Sequence, residues 1–203
     1  MAITRDSGTR QYEHVAVIAH GAHPEYRLEF DAYVKDEAAS RKIRQGSVVS
    51  LDANGQYVIG CGAGSDYCFP VPCISMKNIY DPDVMTGRQG ADTFTTHWSP
   101  VGGKITAIPC TGSYEIETTE FKAVNGTNPY TPGVGLVPAT GDDIGLIKVA
   151  EDLPGGSEPY VGFVSQAPYL ATNYRHNRLS FFANFIPARF AGSGASTSSS
   201  SSL

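Results

Sequence analysis

The stretch SVVSLDANGQYVIG, Ser47 to Gly60, decides the fold class. Two β-rich runs flank Asn54-Gly55, and both of these residues accept the positive φ of a tight hairpin turn, so the expectation is a type I′ hairpin. The runs are too short for helices and rich in valine, tyrosine and isoleucine, which suits a pleated, half-buried surface.

Directly beyond the hairpin, GQYVIGCGAGSDYCFPVPC (Gly55–Cys73) sets three of the four cysteines beside alternating glycines. Gly60, Gly62 and Gly64 follow a strand, as the glycines of a phosphate loop do. Their spacing is G-x-G-x-G, however, and Pro70 and Pro72 forbid the helix whose N-terminus would face the phosphate. Cys61-x6-Cys68-x4-Cys73 also lacks the close C-x2–4-C pairs of a zinc knuckle, although Cys110 and His97 offer further ligands. No cofactor or metal is expected. Two readings of Cys61, Cys68, Cys73 and Cys110 stand: small buried thiols in β-structure, or disulfides closed after the protein reaches an oxidising exterior. The first is favoured by a small margin.

Working outward, EHVAVIAH (13–20) suits a buried strand. RLEFDAYV alternates, with Leu28, Phe30, Ala32 and Val34 on one face and Arg27, Glu29, Asp31 and Tyr33 on the other. KDEAASRKIRQG (35–46) predicts at most a short surface helix closing at Gly46, because Ile43 is its one strong apolar residue; Glu37 and Arg41 have i,i+4 spacing. PCISMKNI (72–79), KITAIPC (104–110), SYEIETTEF (113–121), DIGLIKVA, YVGFVSQ and RLSFFANFIPARF read as strands, and NGTNPYTPGVG as a turn-rich connection. In the last strand Leu179, Phe181, Ala183 and Phe185 alternate with Ser180, Phe182, Asn184 and Ile186. Both faces are largely apolar, which predicts cover on both sides, from the domain's own core or from a neighbouring subunit.

The expected layout is an N-terminal arm over 1–12, a β-rich domain over 13–190 with a long irregular loop at 80–103, and a tail over 191–203. That tail, AGSGASTSSSSSL, has no charge and almost no apolar mass, so it is expected to be disordered. The fold class is all-β, a β-barrel or β-sandwich. The pattern holds no solenoid or propeller repeat.

Composition agrees. The 203 residues hold 22 glycines and 13 prolines, and only 17% are charged, which favours short strands and turns over long charged helices. A net charge of −5 and a pI near 5.5 speak against nucleic acid as a partner, and Arg175, His176 and Arg178 read as a solvated loop. No run is long and apolar enough for a membrane helix, and the start of the chain lacks a secretory pattern, so synthesis in a reducing cytoplasm is expected.

Catalytic chemistry finds no foothold. No G-x-S-x-G elbow occurs, and His14, His20, His23, His97 and His176 fall in no recognised catalytic pattern. Asp81-Pro82-Asp83, with Asp92 beyond it, lacks the remaining positions of a calcium loop, and Asp142-Asp143 is explained by turn chemistry. Tyr67, Phe69, Trp98, Tyr130, Tyr160 and Tyr169 lie in or near predicted loops. They could stack on a carbohydrate, but aromatics more often plug a core or a subunit interface.

VKDEAASRKIRQGSVVSLDANGQYVIGCG, with GDDIGLIKVAEDLPGGSEPYVGFVSQ later in the chain, resembles the small β-barrel or β-sandwich virion proteins of tailed bacteriophages, in particular capsid decoration (cement) proteins. The resemblance spans about two-thirds of the chain. It is carried by I-x-x-G-S-V-V-x-L-D-x-x-G from Ile43 to Gly55 and by the strand holding Val161-Gly162-Phe163-Val164. It implies a non-enzymatic protein on the outer capsid surface, commonly a homotrimer, with the major capsid protein as partner. The cysteine cluster, the long middle loop and the serine tail depart from a simple cement pattern. They keep open a carbohydrate- or receptor-binding module of a head fibre or tail.

Overall fold

The computed structural model describes residues 16–21, 29–61, 69–80, 98–100, 102–111, 114–124, 127–151, 159–170 and 177–186. The arm at 1–12, most of the loop at 80–103 and the tail at 191–203 lie outside them.

The fold is mainly β. In chain order the strands are β1 (Ala16–Gly21), β2 (Phe30–Tyr33), β3 (Val48–Leu51), β4 (Tyr57–Ile59), β5 (Phe69–Ser75), β6 (Asn78–Tyr80), β7 (Trp98–Pro100), β8 (Lys104–Pro109), β9 (Tyr114–Thr118), β10 (Gly135–Pro138), β11 (Ile147–Val149), β12 (Tyr160–Leu170) and β13 (Asn177–Ile186). Two 3-10 turns, Ala38–Lys42 and Gly141–Asp143, are the helical segments of the described residues. One antiparallel sheet has the order β2-β8-β5-β3-β4, the other β1-β9-β13-β12-β10-β11. The far end of the loop at 80–103 is therefore not irregular, since β7 pairs in parallel with β6.

Each sheet curls until the continuation of its first long-range strand meets its last strand. After β2, Val34 bridges Tyr57 in parallel, and Lys35 N–H donates to the Tyr57 carbonyl at 2.9 Å. After β9, Phe121 bridges Ile147 in the same sense, and Lys122 N–H donates to the Ile147 carbonyl at 2.8 Å. Two small, partly closed barrels result, with β1 added to the outside of the second along β9.

The two barrels are built on one plan. β2, β3, β4, β5 and β8 correspond in chain order and pairing to β9, β10, β11, β12 and β13. The correspondence extends to single bonds. Ser47 N–H closes a turn on the Arg44 carbonyl with Gly46 at φ 95°, and Val134 N–H closes one on the Thr131 carbonyl with Gly133 at φ 88°. Such φ values at the third turn position favour glycine. Gly46 N–H then donates to the Ser75 carbonyl (2.7 Å) and Gly133 N–H to the Val164 carbonyl (2.8 Å), with the return bonds Ser75 to Ser47 and Val164 to Val134 both at 2.9 Å.

Alternation along the strands divides the core in two. Val34, Val49, Tyr57, Ile59, Cys73, Ile105 and Ala107 point into the first barrel, where Ile43 and Ile79 join them. Ile116, Leu136, Ile147, Val164, Leu179 and Phe181 fill the second, below Phe121 and Tyr130. The opposite face of the first barrel contributes Val48, Ile74, Ile108 and Cys110 to that second cluster, which makes the two barrels one packed body. In return Ile144, from the loop between β10 and β11, packs against the core of the first barrel.

The opening hairpin forms, with its turn placed one residue earlier than expected. Gly55 N–H donates to the Asp52 carbonyl (3.0 Å) and Asp52 N–H to the Gln56 carbonyl (2.8 Å), so the turn centres on Ala53-Asn54. Gly55 follows at φ 72° as the left-handed residue of a three-residue loop with a bulge. The cause is Asp52, whose Oδ1 accepts from both Asn54 N–H (2.8 Å) and Gln56 N–H (2.9 Å). The segment 35–46 forms only the short 3-10 turn, and just before it Glu37 pairs with Lys35 at 3.1 Å.

Candidate contact surface

Cys73 and Cys110 are buried thiols set in apolar surroundings. Cys73 points into the first barrel and Cys110 away from it, because Cys73 lies opposite Pro109, and one further residue along β8 reverses the side chain. Both are free. Burial pushes the Cys61 thiol up to about 11 and the Cys73 thiol to about 12. Cys110 is raised well above its ordinary value, by the same loss of water and then by its neighbours Cys73 and Cys61. Such thiols are protonated at neutral pH and poor nucleophiles. Cys68 lies outside the described residues. Among the described residues no group of three His, Cys, Asp or Glu side chains is placed to hold a metal ion.

The surface most suited to a partner is the outer face of the second barrel. Along β13, Leu179, Phe181 and Ala183 are buried inside, as the alternation predicts. The expected cover on the other face is only partial within one chain. Arg178 and Ser180 are buried, whereas Phe182 is 55% exposed and Asn184 is exposed. Phe163 of β12 lies directly opposite Phe182, and its ring sits 5.7 Å from that of Tyr160. Gly135 continues the row on β10, where a side chain would collide with the Tyr160 ring.

Polar groups border this aromatic pair. Arg178 Nη1 donates to Glu117 Oε2 at 2.9 Å, and the two side chains are only 9% and 17% exposed. Tyr169 donates to the other oxygen of Glu117 at 2.7 Å, and Ser165 donates to Glu115. Partial burial first, and the Glu117 bond second, raise the Tyr169 hydroxyl above its ordinary value. Arg178 is thus a strand residue tied to a carboxylate, not part of a solvated basic loop. The period-two pattern of β9 already holds Glu115 and Glu117 on one face, but their partners on β12 and β13 are more than forty residues distant in sequence.

Other candidates disperse. Tyr130 and Tyr160 are buried plugs; Tyr130 donates to the Lys122 carbonyl at 2.6 Å and meets Phe121 edge-on at 5.3 Å. Neither belongs to an open stacking platform. Asp143 pairs with Lys122 at 2.8 Å at the end of its 3-10 turn, in keeping with turn chemistry. Tyr67, His14, His23, His97, His176, Asp81, Asp83 and Asp92 lie outside the described residues. Further exposed apolar side chains are Phe30, Tyr33 and Val124; the Lys104 ammonium lies 5.1 Å over the Tyr33 ring.

Comparison with protein-family models, with curated proteins and with solved structures gives no match.

Proposed function

We propose that this chain is a non-enzymatic structural protein of a tailed-phage virion. It decorates the outside of the head and ties neighbouring major capsid protein subunits together as a homotrimer. The observation that carries this reading is a packed double barrel bearing the exposed Phe182 opposite the half-buried Phe163 on one face. A cement protein needs both parts: a core that does not yield, and apolar surface reserved for association. The Ile43 to Gly55 hairpin, which carries the resemblance to decoration proteins, supplies wall and end plug of the first barrel. The acidic balance suits an outer surface better than one lining packaged DNA.

The test adds purified protein to expanded, undecorated heads of the encoding phage and measures co-sedimentation and release of DNA on heating. Saturable binding with a higher release temperature is expected. Heads that neither bind the protein nor gain heat resistance would sink the proposal.

A second reading has its own support. Phe182 stands beside the hydrogen-bonding side chains Glu115, Glu117, Arg178 and Tyr169, the combination that carbohydrate surfaces use. Specific glycan-array binding, abolished by Phe182→Ala, would favour a receptor-binding module over a cement protein.

A further inference from the structure

The internal repeat assigns an occupant to the open face. Because the two barrels share pairing, the paired residues of β3, β5 and β8 have counterparts in β10, β12 and β13. Val48, Ile74 and Ile108 lie side by side across β3, β5 and β8. Their counterparts across β10, β12 and β13 are Gly135, Phe163 and Phe182. In the first barrel that outward row is fully covered, with all three residues at 1% exposure or less, and what covers it is the second barrel. In the second barrel the same row is apolar again, but its cover is incomplete: the buried Tyr160 lies over Gly135 and against the half-buried Phe163, while Phe182 remains 55% exposed. The plan therefore provides one association face per barrel, and the Phe182 end of the second is left open.

We infer that the Gly135–Phe163–Phe182 row is the self-association face of this protein, and that a second copy of the chain occupies it. Three features of the row fit this role. Phe163 and Phe182 form a directly opposed cross-strand pair, which sets both side chains on the same outer face. Tyr160 packs against Phe163 and over Gly135, which holds the surface in shape before any partner arrives. Gly162 fixes the approach of the two strands, since an added Cβ would lie 2.1 Å from the Phe182 carbonyl oxygen. A face on one barrel that meets a different surface on the next copy is a heterologous contact, and such contacts close into rings when the rotation allows. The inference rests on the self-association part of the proposed function and is independent of capsid binding.

The experiment compares the full chain with Phe182→Asp and Val124→Asp by sedimentation velocity across a range of micromolar concentrations. Val124 is exposed, apolar and outside the row, so it controls for added charge. Expected are an oligomer for the parent and for Val124→Asp, and a monomer for Phe182→Asp that keeps the parent's far-UV circular dichroism; its new carboxylate faces Glu115 across the strand pair and lowers the melting temperature without unfolding the chain. Phe182→Tyr should keep the oligomer. A parent chain that stays monomeric overturns the inference, as does an oligomer that survives Phe182→Asp or is broken equally by Val124→Asp. A monomeric parent whose head binding is lost in Phe182→Asp would assign the row to the capsid lattice and leave the proposed function standing. An oligomer that fails to bind heads would do the reverse.

Discussion

At the scale of single residues the three described cysteines show why a cluster in sequence need not be a site. Cys73 on β5 and Cys110 just past the end of β8 face opposite ways, and burial holds their protons. A thiol whose pKa rises on folding binds its proton more tightly in the folded chain. Its contribution to stability is complete below the unfolded value of about 8.5 and is lost as pH climbs towards the folded value. For Cys61 that window closes near 11, and for Cys73 near 12. Tyr57 and Tyr130, raised chiefly by burial, act in the same direction above the ordinary tyrosine value of about 10. Melting temperature should therefore fall progressively above about pH 8.5. Maleimide at neutral pH should label Cys73 and Cys110 only after unfolding. Rapid native labelling of both, read by mass spectrometry, would contradict their placement.

At the scale of elements, the Asn54-Gly55 hairpin was legible from composition, and its loop was not. The glycine's left-handed backbone was expected. What shifted the turn was Asp52, a residue reached only by asking where the loop's N–H groups find acceptors. Asp52→Ala removes two such bonds and should destabilise the protein by about 1–2 kcal/mol, while Asp52→Asn, which keeps an acceptor oxygen, should cost less. Urea denaturation measures both; equal losses would show that the acceptor is not what matters. Strands with strong alternation, β2, β8 and β13, were readable. β10 was not, because GLVP is four residues long and bounded by glycine and proline. The candidate surface was half legible. The doubly apolar pattern of β13 announced two faces needing cover, but only the register of β12 against β13 pairs Phe163 with Phe182.

For the whole molecule, the repeated plan raises the question of whether two barrels unfold as one. Little in the sequence betrays the duplication, because it survives in backbone requirements such as Gly46 and Gly133 and hardly at all in side chains. The barrels are joined by three devices. Val48, Ile74 and Ile108 carry apolar surface of the first into the core of the second, and Ile144 returns the contact. Thr118 of β9 donates to the Gly46 carbonyl at 3.2 Å, beside the half-buried Arg44. Arg44 Nη1 donates to the carbonyls of Arg41, Ile43 and Ile79, its pKa lowered by burial and supported by the charge of Glu120, which lies just past the end of β9. Val48, Ile74 and Ile108, all fully buried in this joint, are exposed only when the barrels part, so a single cooperative transition is expected. Truncating Ile108, 1% exposed in this joint, should cost about 2–5 kcal/mol and lower the midpoint without splitting the transition. Ile144→Asp puts a charge into the first barrel's end and should destabilise both barrels together. Far-UV circular dichroism follows the strands of both barrels and tyrosine fluorescence the packing around Tyr57 in the first and Tyr130 in the second, and their urea curves should coincide as single transitions for the parent and both variants. Separate midpoints in the parent chain would mean that the barrels are independent domains, and that the covered row of the first is no guide to the open row of the second.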